Sequence, residues 1–172
     1  MDILSFKPGH DGAVALISNA TLMFSLEAEK DSFPRYAESH PKLFLDIMAY
    51  MDKIPDVIAI SGWFKRLNDN VLQPLEGGYY KINTKNTISR KTKIFGKEVN
   101  FFSSSHLRSH ILSAYSMSPL PQGQRCYCLV WEGILGSFYE VDENLNIIHL
   151  KKIIDGPGNK YGFIYSLANP KV

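Results

Sequence analysis

Asp2-Ile-Leu-Ser-Phe-Lys-Pro-Gly-His-Asp-Gly-Ala-Val-Ala-Leu-Ile-Ser18 decides the architecture of this chain. An apolar stretch leads into a Pro/Gly turn that carries His10, Asp11 and Gly12, and a second apolar stretch leaves it. Asn19-Ala20 turns the chain again before a third run. Apolar runs of this length, punctuated by Pro, Gly, Asn and Asp, predict strands joined by tight turns. Residues 2–27 are therefore expected to form three consecutive antiparallel strands, with the Asp11-Gly12 turn at one end.

The pattern returns further on. Cys126-Tyr-Cys-Leu-Val-Trp-Glu-Gly-Ile-Leu-Gly-Ser-Phe-Tyr139 again reads strand, acidic residue, Gly, strand, with Glu132 and Gly133 at the turn. It looks like a diverged copy of the first hairpin. Between the copies lies Ser-Ser-Ser-His106-Leu-Arg-Ser-His110-Ile-Leu-Ser-Ala-Tyr, which reads as a helix. Imidazoles four residues apart lie on one helical face, so both can reach one cation. His106 and His110 are thus candidate metal ligands. The same spacing also occurs in polar surface pairs, and each acidic-Gly turn also suits an ordinary hairpin.

Around these features the chain predicts a mixture of strands and helices. Ser39-His40-Pro41 opens a helix with Pro at its first position, and Leu43, Phe44, Ile47, Met48 and Met51 fall at helical spacing. Residues 56–61 form a continuous apolar strand of the buried kind. Residues 27–38 read as charged and turn-rich, and residues 66–78 as irregular. Residues 79–82 and 92–102 are expected as strands, the latter with a turn at 95–97. A last hairpin turns at 142–144, and Gly162-Phe-Ile-Tyr-Ser-Leu167 looks like the start of a helix. Strands with helices between them fit a layered α/β lobe.

Composition narrows the function classes. The chain has 172 residues, 45% hydrophobic residues and a formal net charge of +2. That balance argues against nucleic-acid or membrane partners, which need clustered basic charge. The locally basic residues 81–97 alternate with Asn, Thr and Ser and read as a solvated hairpin or loop. No apolar run approaches the ~20 residues that span a bilayer, and residues 2–11 lack a signal-peptide pattern, so a reducing cytoplasm is expected. Cys126 and Cys128 are read as small core residues on opposite faces of a strand, unable to bridge.

Three stretches together carry a resemblance: Ser5-Phe-Lys-Pro-Gly-His-Asp-Gly-Ala-Val-Ala-Leu16, Ser25-Leu-Glu-Ala-Glu-Lys-Asp-Ser-Phe-Pro-Arg35 and His106-Leu-Arg-Ser-His-Ile-Leu-Ser-Ala-Tyr-Ser-Met-Ser-Pro119. The chain resembles the N-terminal part of the carbamoyltransferases that act on nodulation factors and antibiotics, and the second stretch looks most like the macrocyclic-antibiotic branch. The resemblance implies an actin-like ATPase (ribonuclease-H-like) α/β lobe. Residues 1–172 would form a single domain, the N-terminal lobe, without the second lobe and the domain that makes carbamoyl-adenylate. The implied activity is O-carbamoyl transfer from carbamoyl-adenylate, made from carbamoyl phosphate and ATP, to a hydroxyl of a small-molecule natural product. The implied metal is divalent, Fe²⁺ by family resemblance.

Residue by residue, His10 would act as base, and Asp11 would orient it or hold a phosphate-bound cation. Asp11, Gly12, Glu132 and Gly133 would line a nucleotide-binding cleft, with both turns near the histidines. Glu132 would join His106 and His110 as a third metal ligand. Family members usually carry Asp at this turn; Glu sets the oxygen about one methylene further out. The alternative is a non-catalytic fragment that binds nucleotide, metal or another chain. On either reading the chain alone is expected not to turn over, and an exposed apolar patch would favour self-association or pairing with a missing lobe.

Overall fold

The structure, a computed structural model, describes residues 1–30, 34–68 and 71–169, and their side chains apart from residues 65–68, 71 and 72. It has a mixed α/β architecture in two compact units. One unit comprises Met1–Lys81 and Lys85–His106, the other Ile82–Thr84 and Leu107–Val172.

The first unit begins with β1 (Asp2–Lys7), β2 (Ala13–Ser18) and β3 (Thr21–Glu27). They pair antiparallel in sequence order, in the register Lys7↔Ala13 and Ala13↔Glu27. The expected three-strand unit is present. Leu4 and Val14 point to one face and are buried there with Ala28. Burying side chains of this size contributes about 1.5–3 kcal/mol each.

Helix α1 (Pro41–Asp46) covers that face with Leu43 and, from the following 3-10 turn Ile47–Ala49, Ile47. It starts where the sequence predicts. Pro41 occupies the first turn, and the His40 Nδ1 accepts from the Leu43 amide at 3.4 Å. The expected five-residue apolar stripe is only partly realised. The α-helical period ends at Asp46 and the tighter turn rotates later residues off the face. Phe44 and Met48 are exposed, although the Phe44 ring still meets Phe6 at 5.1 Å.

The chain then crosses to β4 (Val57–Ser61), which pairs parallel to β1 as Ile3↔Val57 through Phe6↔Ile60. Two corrections follow. Residues 66–78, expected to be irregular, contain strands of a hairpin, β5 (Trp63–Asn68) and β6 (Val71–Leu75), in the register Trp63↔Leu75. Polar residues and Pro74 hide the strand period, and a two-stranded ribbon tolerates Pro where an edge is open. Residues 79–82, expected as a strand, are not one. Residues 31–33, within the charged stretch and the resembling motif, and 69–70 lie outside the described residues.

β7 (Ile88–Ile94) and β8 (Lys97–Ser104) pair antiparallel around Phe95-Gly96, both at positive φ. That is the pattern of a hairpin turn whose twist matches its strands. β7 starts four residues before the expected strand. Its basic residues face solvent, except that the Arg90 guanidinium lies 3.9 Å from the Phe101 ring centre and pairs with both Glu76 oxygens at 3.1 Å. β8 joins β4 in parallel, giving one sheet in the order β3-β2-β1-β4-β8-β7.

In the second unit, α2 (His106–Met117) leads to β9 (Cys126–Glu132), β10 (Leu135–Val141) and β11 (Ile147–Lys152), an antiparallel sheet in the order β11-β10-β9. The expected final hairpin turns where Asp142 accepts from the Asn144 and Asn146 amides. Cys126 and Cys128 are two residues apart on β9, so they share one face rather than opposite ones; both are free thiols. α3 (Pro157–Ala168) begins five residues before the expected helical stretch, after Gly156 at positive φ. Among the described residues no helix is long and apolar enough to cross a membrane.

Asp2 ties the start of the first sheet together. Its buried carboxylate accepts from Ser18 at 2.6 Å and meets the Lys53 ammonium at 2.7 Å. Lys53 first, then Ser18, hold its pKa below the ordinary carboxylate value. A depressed pKa stabilises the fold above the unfolded value, about 3.9, and that contribution disappears as pH falls through the folded value. Wild type should therefore exceed Asp2→Asn in urea midpoint at neutral pH, and the gap should close on acidification below pH ~4.

Gly12 gives a second test. A Cβ there would lie 2.1 Å from the Ser39 amide nitrogen, and backbone cannot step aside like a flexible side chain. Gly12→Ala should cost about 1–3 kcal/mol or more in chemical denaturation.

Candidate functional site

Helix α2 starts on a firmly held end of β8. The Ser103 hydroxyl donates to the Ile60 carbonyl at 2.7 Å and accepts from the Gly77 amide at 3.0 Å. The Ser105 hydroxyl donates to the Lys81 carbonyl, and the His106 amide to the Gly78 carbonyl at 3.0 Å. The first helical residue, His106, is thereby fixed in both position and direction. Its ring is 3% exposed and packs against Trp63 at 4.6 Å and Tyr79 at 4.5 Å between centroids.

One helical turn later, His110 extends from the same face. Its Nε2 lies 3.0 Å from the Glu132 carboxylate at the end of β9. One donor atom from each of His106, His110 and Glu132 falls within 4.8 Å of the others. Around a cation with bonds of ~2.1 Å, tetrahedral ligand atoms lie about 3.4 Å apart and opposite ligands of an octahedron about 4.2 Å apart. His110 Nε2 and the Glu132 carboxylate oxygen are 3.0 Å apart, close to the tetrahedral spacing, and both side chains are partly exposed. Two imidazole nitrogens and a carboxylate suit first-row divalent ions such as iron or zinc. The three residues thus fit a metal.

Arg108, between the two histidines in sequence, is two residues from each and so on the opposite side of the helix. It is buried, and burial pushes its guanidinium pKa below the ordinary value.

The turn after β1 carries the other candidates. The His10 Nδ1 lies 2.6 Å from the Asp11 carboxylate. The tautomer with Nδ1–H toward that carboxylate leaves Nε2 as an acceptor. Asp11 adopts a left-handed conformation, φ 55°, and both side chains are about half exposed. The Lys7 ammonium donates to the His10 carbonyl and lies 5.1 Å from the Trp63 ring centre. Gly12 donates its amide to the Ala37 carbonyl at 2.8 Å and accepts from Ala28. What Gly12 contributes is close backbone approach; its amide is already occupied. Gly133, in the second turn, accepts from the Gly158 amide at 2.9 Å through its carbonyl.

Trp63 joins the two histidine-bearing segments of the first unit. The His10 ring meets it edge-on at 5.0 Å, as the His106 ring does at 4.6 Å. Neither Trp63 nor Tyr79 belongs to a motif that marks it as a site residue. A usable signal existed: Trp63 follows a buried strand and Gly62, a position that places a large ring at a strand end. Other charged and imidazole side chains have local partners. Lys30 pairs with Glu27 at 3.4 Å and with Glu29 at 3.2 Å, Glu29 accepts from the Tyr36 amide, and Arg35 lies over the Tyr36 ring. His149 packs on Tyr139 at 5.2 Å.

Comparison with known proteins agrees with this arrangement of motifs. Residues 44–171 match the family described as carbamoyltransferase N-terminus. The chain is 44% identical over 170 residues to a 3'-hydroxymethylcephem-O-carbamoyltransferase of Streptomyces clavuligerus, covering 99% of this chain and 32% of that protein. A protein of the same name from Amycolatopsis lactamdurans is 42% identical, with the same coverage. Nodulation protein U of Bradyrhizobium diazoefficiens is 29% identical over 154 residues, 78% of this chain and 27% of that one. The chain spans about a third of the length of the cephem carbamoyltransferases it matches. With the family matched across most of its length, the chain belongs to the carbamoyltransferases and corresponds to their N-terminal region.

Proposed function

We propose that this chain is the N-terminal, actin-like lobe of an O-carbamoyltransferase acting on a hydroxyl of a small-molecule natural product, with carbamoyl-adenylate as donor. The observation that carries the reading is the convergence of His106, His110 and Glu132 donor atoms within 4.8 Å. Relatives named for carbamoyl transfer to a hydroxymethylcephem support the acceptor class. The repeated strand–acidic–Gly–strand unit supports the lobe assignment, with Asp11-Gly12 and Glu132-Gly133 as the two turns facing nucleotide.

In this reading His106, His110 and Glu132 hold a divalent metal, Fe²⁺ by resemblance. Bound there, it would supply Lewis-acid polarisation of a carbamoyl or phosphate oxygen. His10 takes the proton of the acceptor hydroxyl at Nε2 while Asp11 holds Nδ1–H. The freed oxygen bonds to the carbamoyl carbon, the bond from that carbon to the adenylate phosphate oxygen breaks, and AMP leaves with the electron pair. The Trp63 indole keeps the His10 ring from turning away.

Anaerobic calorimetry of the chain with Fe²⁺, and with Co²⁺ as a spectroscopic probe, tests the site. One ion per chain is expected. The pair His106→Ala with His110→Ala should weaken binding by about 100-fold, roughly 2.7 kcal/mol. Unchanged affinity in that double variant overturns the metal assignment.

A second test co-expresses the chain with the remaining two thirds of the Streptomyces relative and measures carbamoylation of a hydroxymethylcephem. His10→Gln should lower kcat by about 10²–10⁴-fold and leave metal affinity unchanged. Full activity in His10→Gln removes it as the base. Metal binding without carbamoyl transfer by the wild-type pair would favour the non-catalytic alternative.

A further inference from the structure

Glu76 follows β6 with a left-handed backbone, φ 52°, a conformation that a side chain disfavours. Such a residue persists where its surroundings fix it. Its carboxylate meets the Arg90 guanidinium of β7 as a fork, Nη1 to Oε2 and Nη2 to Oε1, both at 3.1 Å. Arg90 stands directly opposite Phe101 in the β7–β8 register, and its guanidinium lies over that ring at 3.9 Å. The ring fixes the plane of the guanidinium, and the guanidinium fixes the carboxylate.

The two residues after Glu76 are glycines. Gly77 and Gly78 are buried, and Gly78 is also left-handed, φ 71°. A Cβ on Gly77 would lie 2.5 Å from the Ser104 carbonyl carbon and 2.8 Å from the Ser105 nitrogen. A Cβ on Gly62 would run into the Gly78 backbone. The glycines are therefore wedged between the end of β8 and the residue that follows β4. From there they make two bonds at the start of the histidine helix. The Gly77 amide donates to the Ser103 hydroxyl at 3.0 Å, and the Gly78 carbonyl accepts from the His106 amide at 3.0 Å. The first amides of a helix have no partner within it, so the Gly78 carbonyl orients the His106 end. On the N-terminal side of the glycines, the nearest side-chain anchor is Glu76.

The Arg90 side chain is 49% exposed and that of Glu76 22%. An ion pair so open to water adds little to overall stability. Its distinction is its place: it ties β7 to the residue just before the glycines that hold His106.

We propose that Arg90 and Glu76 are positioning residues for the candidate metal centre: their fork holds the Glu76-Gly77-Gly78 turn against the end of β8 and so fixes where the His106 ring stands. The proposal rests on the reading of His106 as a metal ligand. It adds to that reading two residues that act through backbone rather than on the ion.

The test compares wild type with Glu76→Gln and Arg90→Lys. Gln keeps the size of Glu76 and loses its charge; Lys keeps the charge of Arg90 and loses the fork. In metal-free protein, amide exchange followed by NMR should speed up at least tenfold at His106 and stay unchanged in β1 and β2. Co²⁺ affinity should fall about tenfold with a shifted visible spectrum, and the urea midpoint should stay near wild type. The double variant should be no worse than either single, because each removes the same contact. Wild-type exchange at His106, or wild-type Co²⁺ affinity, in both variants overturns the proposal while leaving the metal reading intact. Equal speeding of the β1 and β2 amides also overturns it, since that marks a general loss of stability. Absence of Co²⁺ binding by wild type overturns the metal reading and the proposal together.

Discussion

The backbone of Gly9 lies flat against the Trp63 indole. A Cβ at that position would sit 2.2–2.6 Å from three ring carbons, inside any allowed contact. The turn after β1 is therefore shaped against a rigid ring that is itself 7% exposed. Tyr79, Phe64 and the Lys7 ammonium close around the same indole. Because the His10 and His106 rings both meet it edge-on, their orientations are not independent. Edge-to-face contacts add only about 0.5–1.5 kcal/mol each for aromatic pairs. Their larger consequence is to restrict rotation: a packed imidazole has few alternatives to the orientation it holds.

That constraint explains why the parts of the candidate metal set differ in character. His106 is buried and locked by ring contacts and by its own amide hydrogen bond. His110 and Glu132 are partly exposed and paired with one another at 3.0 Å. The fixed histidine would give the ion its place, and the adjustable pair would set the fit.

Much of this was legible locally. β1, β2 and β3, the β9–β10 hairpin and α2 announce themselves through short apolar runs, Gly turns and the i, i+4 histidines, since neighbouring residues pair there. β5 and β6 were missed because Arg66, Asn68 and Pro74 dilute the strand signal, and a two-stranded ribbon needs no buried face to betray it. The apolar stripe after Pro41 reads as a longer helix than exists: Leu43 and Ile47 are its buried members, a fact set by packing rather than by period. The candidate metal set was half visible. His106 and His110 follow from spacing, whereas Glu132 depended on seeing the second hairpin as a copy of the first. The wall formed by Trp63 and Tyr79 was not read, since nothing in the order of residues says that a ring after β4 meets one sixteen positions later.

The repeated hairpin has a physical consequence beyond placing two acidic turns. Antiparallel neighbours in sequence close short loops and form early, while a parallel mate requires a long crossover. In the first unit that crossover spans everything from the end of β3 to β4, with α1 on its path. β1 thereby becomes an interior strand, and the sheet continues through β4 to β8 and β7. Continuation in this direction also delivers β8 to its end at Ser104, from which His106 and α2 depart. The parallel step from β1 to β4 thus does two jobs: it shields the edge of β1 and extends the sheet to β8, whose end the chain leaves at His106.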